Sequence, residues 1–452
     1  MNRTDGDADG KDGKDGKDGK DGKDGSGTGK GAGSEGGGAN RAAGVNLLGL
    51  RHHNTALVLD LLRTAGAEGI SRLELAERTG LTPQAVSKIT ARLRADGLAA
   101  AAGHRASTGG KPRTLLRLVP AAGHAVGVHL DRDELRAVLV DLTGTVVGER
   151  RAPLDLGAGA ETVLTGLVRE AEALVGEALV GEALVGEGPR PGGGSRAPLA
   201  AAARTHAHTH THARTPVRTP VHTGAHAPAY APTLLGLGVA LPGPLDHARG
   251  VLHRVTGFPE WDGFPLRDAL ARRLGVPVVV DKDTNAAALG LAVGGERGSF
   301  AYLHLGTGLG AGLVFGGSVH RGPRTGAGEF GHQVIQLDGP PCTCGARGCV
   351  EALCLRAVDR GDVAEAARVL GAGAANLVGL LDIDLVLLGG RTVTATPEEY
   401  VHGVGAVLAA RARREGGGET PVPVRIAPGG ARAVAEGAAQ LLLAPLFGRG
   451  EA

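Results

Sequence analysis

Four residues in the C-terminal half of the chain have the types and spacing of a metal site. His332 is followed by Cys342, Cys344 and Cys349 in the pattern His-x9-Cys-x-Cys-x4-Cys. Three thiolates and one imidazole fill the tetrahedral shell of Zn²⁺, and a shell filled by protein ligands leaves no position for a reacting water. We therefore expect a structural zinc ion here. Cys354 follows on the next helix, where we expect a small core residue.

The position of the cysteines and the composition of the first residues indicate the compartment. All 4 cysteines lie between residues 342 and 354, and in a reducing compartment such crowding favours a metal over disulfides. The first residues are rich in Asp, Lys and Gly, without the apolar segment of a signal peptide. No apolar run approaches the roughly 18 residues of a membrane span. We expect a cytoplasmic protein with no membrane partner.

A basic segment at residues 45–120 differs from the rest of the chain. Residues 41–120 contain 12 Lys and Arg against 5 Asp and Glu, whereas the whole chain has a net charge of only +2. Because the excess positive charge is local, it predicts one basic module rather than a chain that binds polyanions along its length.

The same segment contains the start signals of three helices. Asn54 is expected to cap a first helix, and Ser71 with Glu74 forms a capping box that opens a second. Thr82 caps a third helix, which begins at Pro83, where the missing N–H costs nothing. A Gly turn between the second and third helices is typical of a helix-turn-helix.

The third helix and a following hairpin carry the polar residues suited to DNA. The third helix has a polar outer face, and residues 104–118 form a hairpin with a basic, Gly-rich tip, which is typical of a wing. The alternative is a small helical bundle with a solvated basic face. We expect a winged helix-turn-helix that binds a double-stranded DNA operator through Thr82, Gln84, Ser87, Lys88, Arg92, Lys111 and Arg113.

Two low-complexity segments interrupt the pattern. Residues 11–25 repeat Lys-Asp-Gly 5 times, and we expect residues 1–44 to be a solvated tail; a tail that tunes DNA affinity is the alternative. Residues 171–232 contain repeats of Glu-Ala-Leu-Val-Gly and then 6 histidines between His206 and His226. Histidines can bind transition metals, but the alternating Thr, Ala and Pro define no ligand geometry. A disordered insertion is the expectation.

Outside that insertion, residues 121–447 alternate strands with helices, which predicts an α/β fold. Strands are expected at 125–130, 135–140, 145–149, 234–241, 277–281, 301–305, 310–315, 385–388 and 422–426. Helices are expected near 398–413 and 432–443.

Several motifs together resemble the ROK family (repressors, open reading frames and sugar kinases). The matches are Gly-Glu-Phe-Gly-His at 328–332, Cys-x-Cys-Gly-x-x-Gly-Cys at 342–349, Gly-Val-Ala-Leu-Pro-Gly-Pro at 238–244, Asp-Thr-Asn-Ala-Ala-Ala-Leu at 283–289, Gly-Thr-Gly-Leu-Gly at 306–310 and Val-Leu-Leu-Gly-Gly at 386–390. The resemblance implies a duplicated actin-like, ribonuclease-H-like ATPase fold with a cleft between two lobes. With the helix-turn-helix, it implies the repressor branch, whose members sense sugars or sugar phosphates and act as homodimers or homotetramers.

The resemblance also assigns roles to residues of the cleft. It places the sugar ligands at Glu329, His332 and Glu351, together with Asp283 at the position of the kinases' catalytic base. A kinase needs such a carboxylate to accept the proton of the sugar hydroxyl. A residual phosphate loop corresponds to Gly306, Thr307, Gly308 and Gly310.

One motif departs from the family kinases. Where they have Asp-x-Gly-Gly-Thr-Lys or Asn, this chain has the phosphate hairpin His129-Leu130-Asp131-Arg132-Asp133-Glu134. Side chains prevent the close backbone approach that Gly permits, and a like-charge pair near 4 Å costs about 4 kcal/mol at an effective dielectric near 20. ATP and Mg²⁺ are therefore not expected as cofactors, and Asp283 is interpreted as a vestigial base. Lys282 and Gly257 replace two asparagines of the sugar site.

The sequence thus predicts a DNA-binding transcription regulator, a repressor of sugar uptake or catabolism genes, whose ROK domain senses a sugar or sugar phosphate and has lost kinase activity. One alternative is an active ATP-dependent sugar kinase with a DNA-binding module. Another is a regulator that has lost its sugar ligand and responds to a protein partner. Lys282 and Gly257 leave the choice between a neutral sugar, a phosphosugar and no sugar open. The positive charge of Lys282 would favour an anionic ligand.

Overall fold

The computed structural model describes residues 47–105, 113–185, 233–253, 255, 258–414 and 420–449. The predicted tail at 1–44, most of the predicted insertion with its histidines, Gly257 and the wing-tip residue Lys111 lie outside the described residues.

The N-terminal module has the elements of a winged helix-turn-helix. They are α1 (Leu47–Ala65), β1 (Ile70–Ser71), α2 (Arg72–Thr79), α3 (Pro83–Ala95), β2 (Ala99–Arg105) and β3 (Arg113–Leu118). The three strands form one sheet in the order β1-β3-β2. The predicted caps are confirmed: the Ser71 hydroxyl accepts from the Glu74 amide while Glu74 accepts from the Ser71 amide, and Thr82 accepts from the Ala85 amide.

The predicted start of the first helix is wrong. Helix α1 begins at Leu47, so Asn54 lies inside it rather than at its N-cap. The residues from 47 to 53 include Leu and Arg, which have high helix propensity, and no Pro stops the helix from extending backwards past Asn54.

The first lobe of the C-terminal part is built on a five-stranded sheet in the order β10-β7-β4-β5-β6. Its elements are β4 (His124–Leu130), β5 (Glu134–Asp141), β6 (Val146–Pro153), α4 (Ala160–Val185), β7 (Leu234–Leu241), β8 (Leu245–Asp246), β9 (Val251–Leu252), α5 (Leu266–Leu274) and β10 (Val278–Lys282). Strands β4, β5 and β6 are antiparallel neighbours, and β7 and β10 run parallel to β4. Helices α4 and α5 and the buried Trp261 cover one face of the sheet.

The second lobe repeats this topology in a sheet of order β15-β14-β11-β12-β13. Its elements and the helices around it are α6 (Asp283–Gly294), β11 (Phe300–Leu305), β12 (Leu309–Phe315), β13 (Ser318–Val319), α7 (Val350–Asp359), α8 (Val363–Leu381), β14 (Leu385–Gly389), α9 (Arg391–Ala395), α10 (Pro397–Arg414), β15 (Val424–Ile426) and α11 (Ala433–Leu443). Again three strands are antiparallel and two are parallel. The predicted duplicated α/β fold is confirmed.

Helices α6 and α11 pack against each other between the two sheets. Their contact is close because glycines and alanines face one another: a Cβ on Gly437 would lie 2.0 Å from the Ala286 carbonyl oxygen. Together with Phe300, Tyr302 and residues of β14, these helices form one buried cluster. The helix pair therefore connects the lobes as a tightly packed unit.

The predicted insertion begins too early in the chain. Residues 171–185 belong to α4, which continues to Val185. Leu174 and Val175 of the first Glu-Ala-Leu-Val-Gly repeat are buried against the first-lobe sheet, so this part of the segment has an apolar face to bury.

Among the described residues, one helix has the length and apolar composition of a membrane span, which the sequence was not expected to contain. This helix is α8, and half of its apolar 18-residue stretch is buried inside the fold. Its residues Leu370 and Ala374 lie in the second-lobe core with Val404 of α10, as expected of a core helix.

Candidate functional site

A cleft between the two lobes brings the predicted sugar residues together. Its walls enclose a cavity of about 70 Å³. Asp283 is the first residue of α6, Glu329 precedes the 3-10 turn at Phe330–His332, and Glu351 lies in the first turn of α7. Residues that line the cavity include Asp131, Arg132, Lys282, Asp283, His304, Thr307, Gly308, Gly310, Glu329, His332 and Glu351.

Asp283 has the electrostatic properties of a carboxylate that can accept a proton. Burial raises its pKa to about 7, and the carboxylates of Asp131 and Glu329 contribute to the rise. The Lys282 ammonium and the Thr284 amide act in the opposite direction. A group with a pKa near neutrality is suited to general-base chemistry or to a hydrogen bond with a sugar hydroxyl.

Lys282 lines the cavity and pairs there with groups of the second lobe. Its ammonium donates to the Ala327 carbonyl oxygen at 2.6 Å and pairs with Glu329 at 3.3 Å, and the side chain is only 6% exposed. Gly328 allows this approach, because a Cβ there would lie 3.0 Å from the ammonium nitrogen. The positive charge that Lys282 adds to the site is therefore balanced within the protein.

Glu351 is buried and faces the phosphate loop. Its Oε2 accepts a hydrogen bond from the Leu309 amide at 2.8 Å. A Cβ on Gly308 would lie 3.1 Å from the same oxygen, so the loop needs glycine at this position to approach the carboxylate. This contact joins the predicted sugar ligand Glu351 directly to the predicted phosphate loop.

The metal loop, residues 332–349, places all four predicted ligands around one point. His332 Nδ1 lies 3.6 Å from Cys342 Sγ, and Cys344 Sγ lies 3.7 Å from Cys349 Sγ. All four ligand atoms lie within 4.8 Å of one another. Ligands at Zn–S distances of about 2.3 Å in a tetrahedron are about 3.8 Å apart, so the donor set fits this ion.

The backbone of the metal loop preorganises these ligands. The Cys342 amide donates to the Ala346 carbonyl oxygen at 2.9 Å, and the Gly348 amide donates to the Pro340 carbonyl oxygen at 2.8 Å. Gly348 has a φ of +66°, and a Cβ there would lie 1.6 Å from the Gln336 carbonyl oxygen. Only glycine satisfies both requirements, which explains its position immediately before Cys349.

The phosphate hairpin contacts the second lobe through its carboxylates. Thr307 donates to Asp131 Oδ1 at 2.7 Å, and Arg391 donates to both carboxylate oxygens of Asp133 at 2.9 Å. Sequence reasoning missed Arg391. The available signal was its position directly after the glycine pair that ends β14, where the first residues of a helix face a cleft.

Two histidines lie at the base of the cleft: His129, the buried first residue of the hairpin, and His304 of β11, whose ring centre is 6.0 Å from that of His129. Burial, together with the neighbouring His304, lowers the pKa of His129 to about 4. Burial also lowers the pKa of His304, so both rings are neutral near pH 7. Burial acts to raise the pKa of Asp131, but His129 and the hydrogen bonds from Thr307 and the Arg132 amide lower it below its ordinary value.

The predicted DNA-contacting residues lie on one face of α3 and on the wing. Val86 and Leu93 are buried on the inner face of α3. The outer face exposes Gln84, Ser87, Lys88 and Arg92 beside the exposed cap residue Thr82; Arg113 is exposed at the start of β3.

Comparison with known proteins assigns both parts of the chain. A ROK family profile matches residues 204–360, and a winged helix-turn-helix DNA-binding profile matches residues 58–99. The chain therefore has an N-terminal winged helix-turn-helix and, C-terminal to it, a ROK family domain.

Among characterised proteins, the chain is homologous to xylose repressors. It is 26% identical to the xylose repressor of Caldicellulosiruptor bescii over 285 residues, which are 62% of this chain and 59% of the repressor. It is also 40% identical to the glucokinase of Thermotoga maritima over 121 residues, 26% of this chain and 38% of the kinase. The chain thus matches about three fifths of the length of the repressor and less than half of the kinase.

Solved structures share the fold. A ROK family transcriptional regulator, a homologue of the E. coli MLC protein, superimposes with a TM-score of 0.62 at 19% identity, over 88% of this chain and 98% of that one. A ROK family glucokinase from Streptomyces griseus superimposes with a TM-score of 0.50 at 23% identity, over 71% of this chain and 99% of that one. The superposition with the higher score also covers the larger share of this chain.

Proposed function

We propose that the chain is a DNA-binding transcription regulator, a repressor whose ROK domain senses a sugar. The observation that carries this proposal is an exposed basic helix, α3, in a module whose core is continuous with the ROK domain. The homologous xylose repressors support both the regulatory role and a sugar as effector. A double-stranded operator is the partner, and homodimers or homotetramers in the cytoplasm are the expected working form.

The shared core provides a mechanical connection between effector and DNA. Val58 and Leu62 of α1 are buried in one cluster with Ala439, Leu443 and Phe447 at the C-terminal end of the ROK domain. Because such a core is close-packed, a shift of α11 displaces the DNA module.

An ion pair and a ring contact reinforce this junction. Arg449 donates to Asp60 of α1 at 3.0 Å, and the Arg63 guanidinium lies 5.3 Å from the centre of the Phe447 ring. Helix α11 in turn packs on α6, whose first residue is Asp283 of the cleft. Sugar binding at Asp283 thus acts on the operator-binding module through two helices.

The charges of the cleft favour a neutral sugar over a phosphosugar. Lys282 is paired with Glu329, and Glu351 and Asp131 add negative charge to the same cavity. An added phosphate would face these carboxylates at an unfavourable Coulomb energy. Asp283, Glu329 and Glu351 present oxygen acceptors to hydroxyl groups, as a neutral sugar requires.

A structural zinc ion held by His332 and the three cysteines supports this cleft. The metal would fix the imidazole and, through the short connection from Cys349 to Glu351, the start of α7. The zinc would leave no coordination position for substrate, because four protein ligands complete its shell.

The competing proposal is an active sugar kinase. Asp283 and the loop at 306–310 are present, and the match to a glucokinase favours it. Against it, the phosphate hairpin has side chains in place of glycines, and those side chains contact Thr307 and Arg391. A coupled ADP-release assay over a panel of sugars separates the two: turnover above about 1 s⁻¹, an ordinary enzyme rate, would contradict a sensor without kinase activity.

Operator binding can be tested directly. Genome-wide binding with purified protein identifies bound promoters, and fluorescence anisotropy on one of them measures affinity against salt. Lys88→Ala and Arg92→Ala should each weaken binding. If the side chain contacts a base, the loss of binding free energy should be about 1–3 kcal/mol; if it contacts a phosphate, the slope of log affinity against log salt should fall by about 1. Arg360→Ala, an exposed arginine at the end of α7, is the control. Unchanged affinity in both α3 variants would overturn the proposed DNA interface.

A further inference from the structure

The tip of the phosphate hairpin is held rigidly within the first lobe. The Asp131 amide donates to the Glu134 carbonyl oxygen at 2.8 Å and closes the turn. The Leu156 amide donates to the Arg132 carbonyl oxygen at 2.9 Å, and the Leu154 amide donates to that of Asp133 at 3.2 Å. These bonds orient the two aspartates towards the second lobe before any contact across the cleft is made.

The second lobe meets these aspartates with two donors that are themselves positioned. Thr307 lies in the phosphate loop, and Arg391 is the first residue of α9. The neighbouring Thr392 donates to the Gly306 carbonyl oxygen at 3.2 Å, which ties α9 to the loop. The two contacts across the cleft, Asp131 with Thr307 and Asp133 with Arg391, therefore join one rigid hairpin to one connected pair of donors.

The chemistry of these contacts is that of anion recognition. A guanidinium binds a carboxylate or a phosphate through charge-assisted hydrogen bonds, and here one nitrogen of Arg391, Nη1, donates to both carboxylate oxygens of Asp133 at 2.9 Å. A single exposed ion pair is worth little, with a typical range of about 0–1 kcal/mol. Here the pair is joined to the part-buried bond between Thr307 and Asp131, so ordering one contact lowers the entropy cost of the other.

We propose that Asp131 and Asp133, with Thr307 and Arg391, form an inter-lobe latch in which the chain's own carboxylates occupy its anion-binding groups. The inter-lobe latch sets the spacing of the lobes without a nucleotide, so the walls of the cleft are held in place by residues of the chain alone. It also keeps Thr307 and Arg391 from other anions. The latch concerns the ROK domain only, and its test does not depend on operator binding or on the identity of the sugar.

Hydrogen–deuterium exchange on the full-length chain tests the latch. Asp133→Asn and Arg391→Gln should each accelerate exchange in the segments around 304–309 and 389–395 by about fivefold, the factor that corresponds to about 1 kcal/mol. Glu365→Gln removes an exposed ion pair with Arg368 inside the second lobe and is the matched control. Exchange of α5 in the first lobe serves as the check that each variant is folded. Unchanged exchange at the cleft in both variants would overturn the latch.

A charge exchange distinguishes an ion pair from local packing. The double variant Asp133→Arg with Arg391→Asp should recover most of the protection that either single change removes, because the pair is restored with opposite polarity. In the parent protein, salt should accelerate exchange in the same two segments, since both partners are partly exposed. Protection that stays lost in the double variant would show that the pair does not hold the lobes together.

Discussion

The metal loop and the phosphate hairpin are two parts of the same domain, and they differ in how completely they match the motifs that they resemble. In the metal loop, all four ligands are present and their donor atoms lie within 4.8 Å of one another. In the phosphate hairpin, both glycine positions of the kinase motif carry side chains, and the tip is anionic. One region has every residue that its chemistry needs, and the other carries side chains where the motif that it resembles has glycines.

This difference separates two requirements of the fold. The metal loop supports the sugar side of the cleft, because Cys349 immediately precedes the helix that carries Glu351. The resemblance assigns the glycine motif of the phosphate hairpin to the nucleotide side, whereas the Asp131 and Arg132 present here line the shared cavity. A regulator that still binds sugar needs the first and can lose the second, which is consistent with the proposed sensor. An active kinase would need both.

The strongest way to break this comparison is to remove a metal ligand. Cys349→Ser should abolish stoichiometric zinc, measured by elemental analysis of the purified chain. It should also lower the free energy of unfolding by about 4 kcal/mol if free zinc is about 1,000-fold above its dissociation constant. A thermal melt of the ROK domain with and without a strong chelator should show the same loss in the parent.

Cys354 provides the matched control for this prediction. It is buried, and its thiol donates to the Ala366 carbonyl oxygen, away from the metal loop. Cys354→Ala should leave one zinc per chain while lowering stability modestly. If the Cys349→Ser variant kept its zinc, or if the parent contained none, the view that the metal loop is intact would be wrong.

The second prediction reverses the loss in the phosphate hairpin. The variant Asp131→Gly, Arg132→Gly and Asp133→Thr removes two negative charges and one positive charge, and it frees Thr307 and Arg391. Affinity for a magnesium complex of a non-hydrolysable ATP analogue should rise about 30-fold, since half of a like-charge repulsion near 4 kcal/mol corresponds to that factor. Isothermal titration calorimetry measures the change.

The control for the hairpin variant is a charge change elsewhere. Glu398 is exposed in the first turn of α10, and Glu398→Gln should leave nucleotide affinity as it is in the parent. No gain in the hairpin variant would place the barrier to nucleotide binding outside residues 131–133 and would remove the main contrast with the metal loop.

The third and smallest effect concerns Asp283, which lies between the two regions. Its pKa rises from 3.8 to about 7 on folding, so between pH 4 and 7 the unfolded chain releases a proton that the folded chain retains. Asp283 therefore lowers the stability of the fold increasingly as the pH rises from 4 to 7. Above pH 7 this destabilisation has reached its full size. Asp283→Asn should gain stability relative to the parent, by on the order of 2 kcal/mol between pH 4 and 8.

Chemical denaturation of parent and variant at several pH values checks this prediction. Comparing the two at each pH cancels other titrating groups, among them His129, whose lowered pKa makes the parent less stable as pH falls from 6.5 towards 4. Asp359→Asn, at an exposed aspartate that ends α7, is the control. A stability difference between the Asp283 variant and its parent that stayed constant with pH would contradict the assigned pKa of about 7.

Much of the fold could be predicted because its signals are local. The strand at 234–241 has the same bounds in sequence and structure, and the caps at Ser71 and Thr82 form as expected. The predicted start of α1 was wrong because no stop signal ends the helix before Leu47. The predicted start of the insertion was wrong because α4 continues through residues 171–185, where Leu174 and Val175 are buried. The repeated sheet topology could not be read from any single strand.

The candidate site divides in the same way. The metal ligands are close in the chain, so their spacing alone indicated a shared ion. The contact between Asp133 and Arg391 joins residues 258 positions apart, and no local pattern could predict it. Lys282 was expected to favour an anionic ligand, and its pairing with Glu329 argues instead for a balanced charge.

The sequence by itself determined the class of the two parts, the composition of the metal loop and the absence of glycines from the phosphate hairpin, because residue types and short spacings define those features. Only the tertiary structure decided what the replacements do. From the sequence, Asp131 and Asp133 were expected to repel the phosphates of a nucleotide. In the fold, they accept hydrogen bonds from Thr307 and Arg391. The reason is physical: the energy of a charge depends on the groups that folding places within a few ångströms of it.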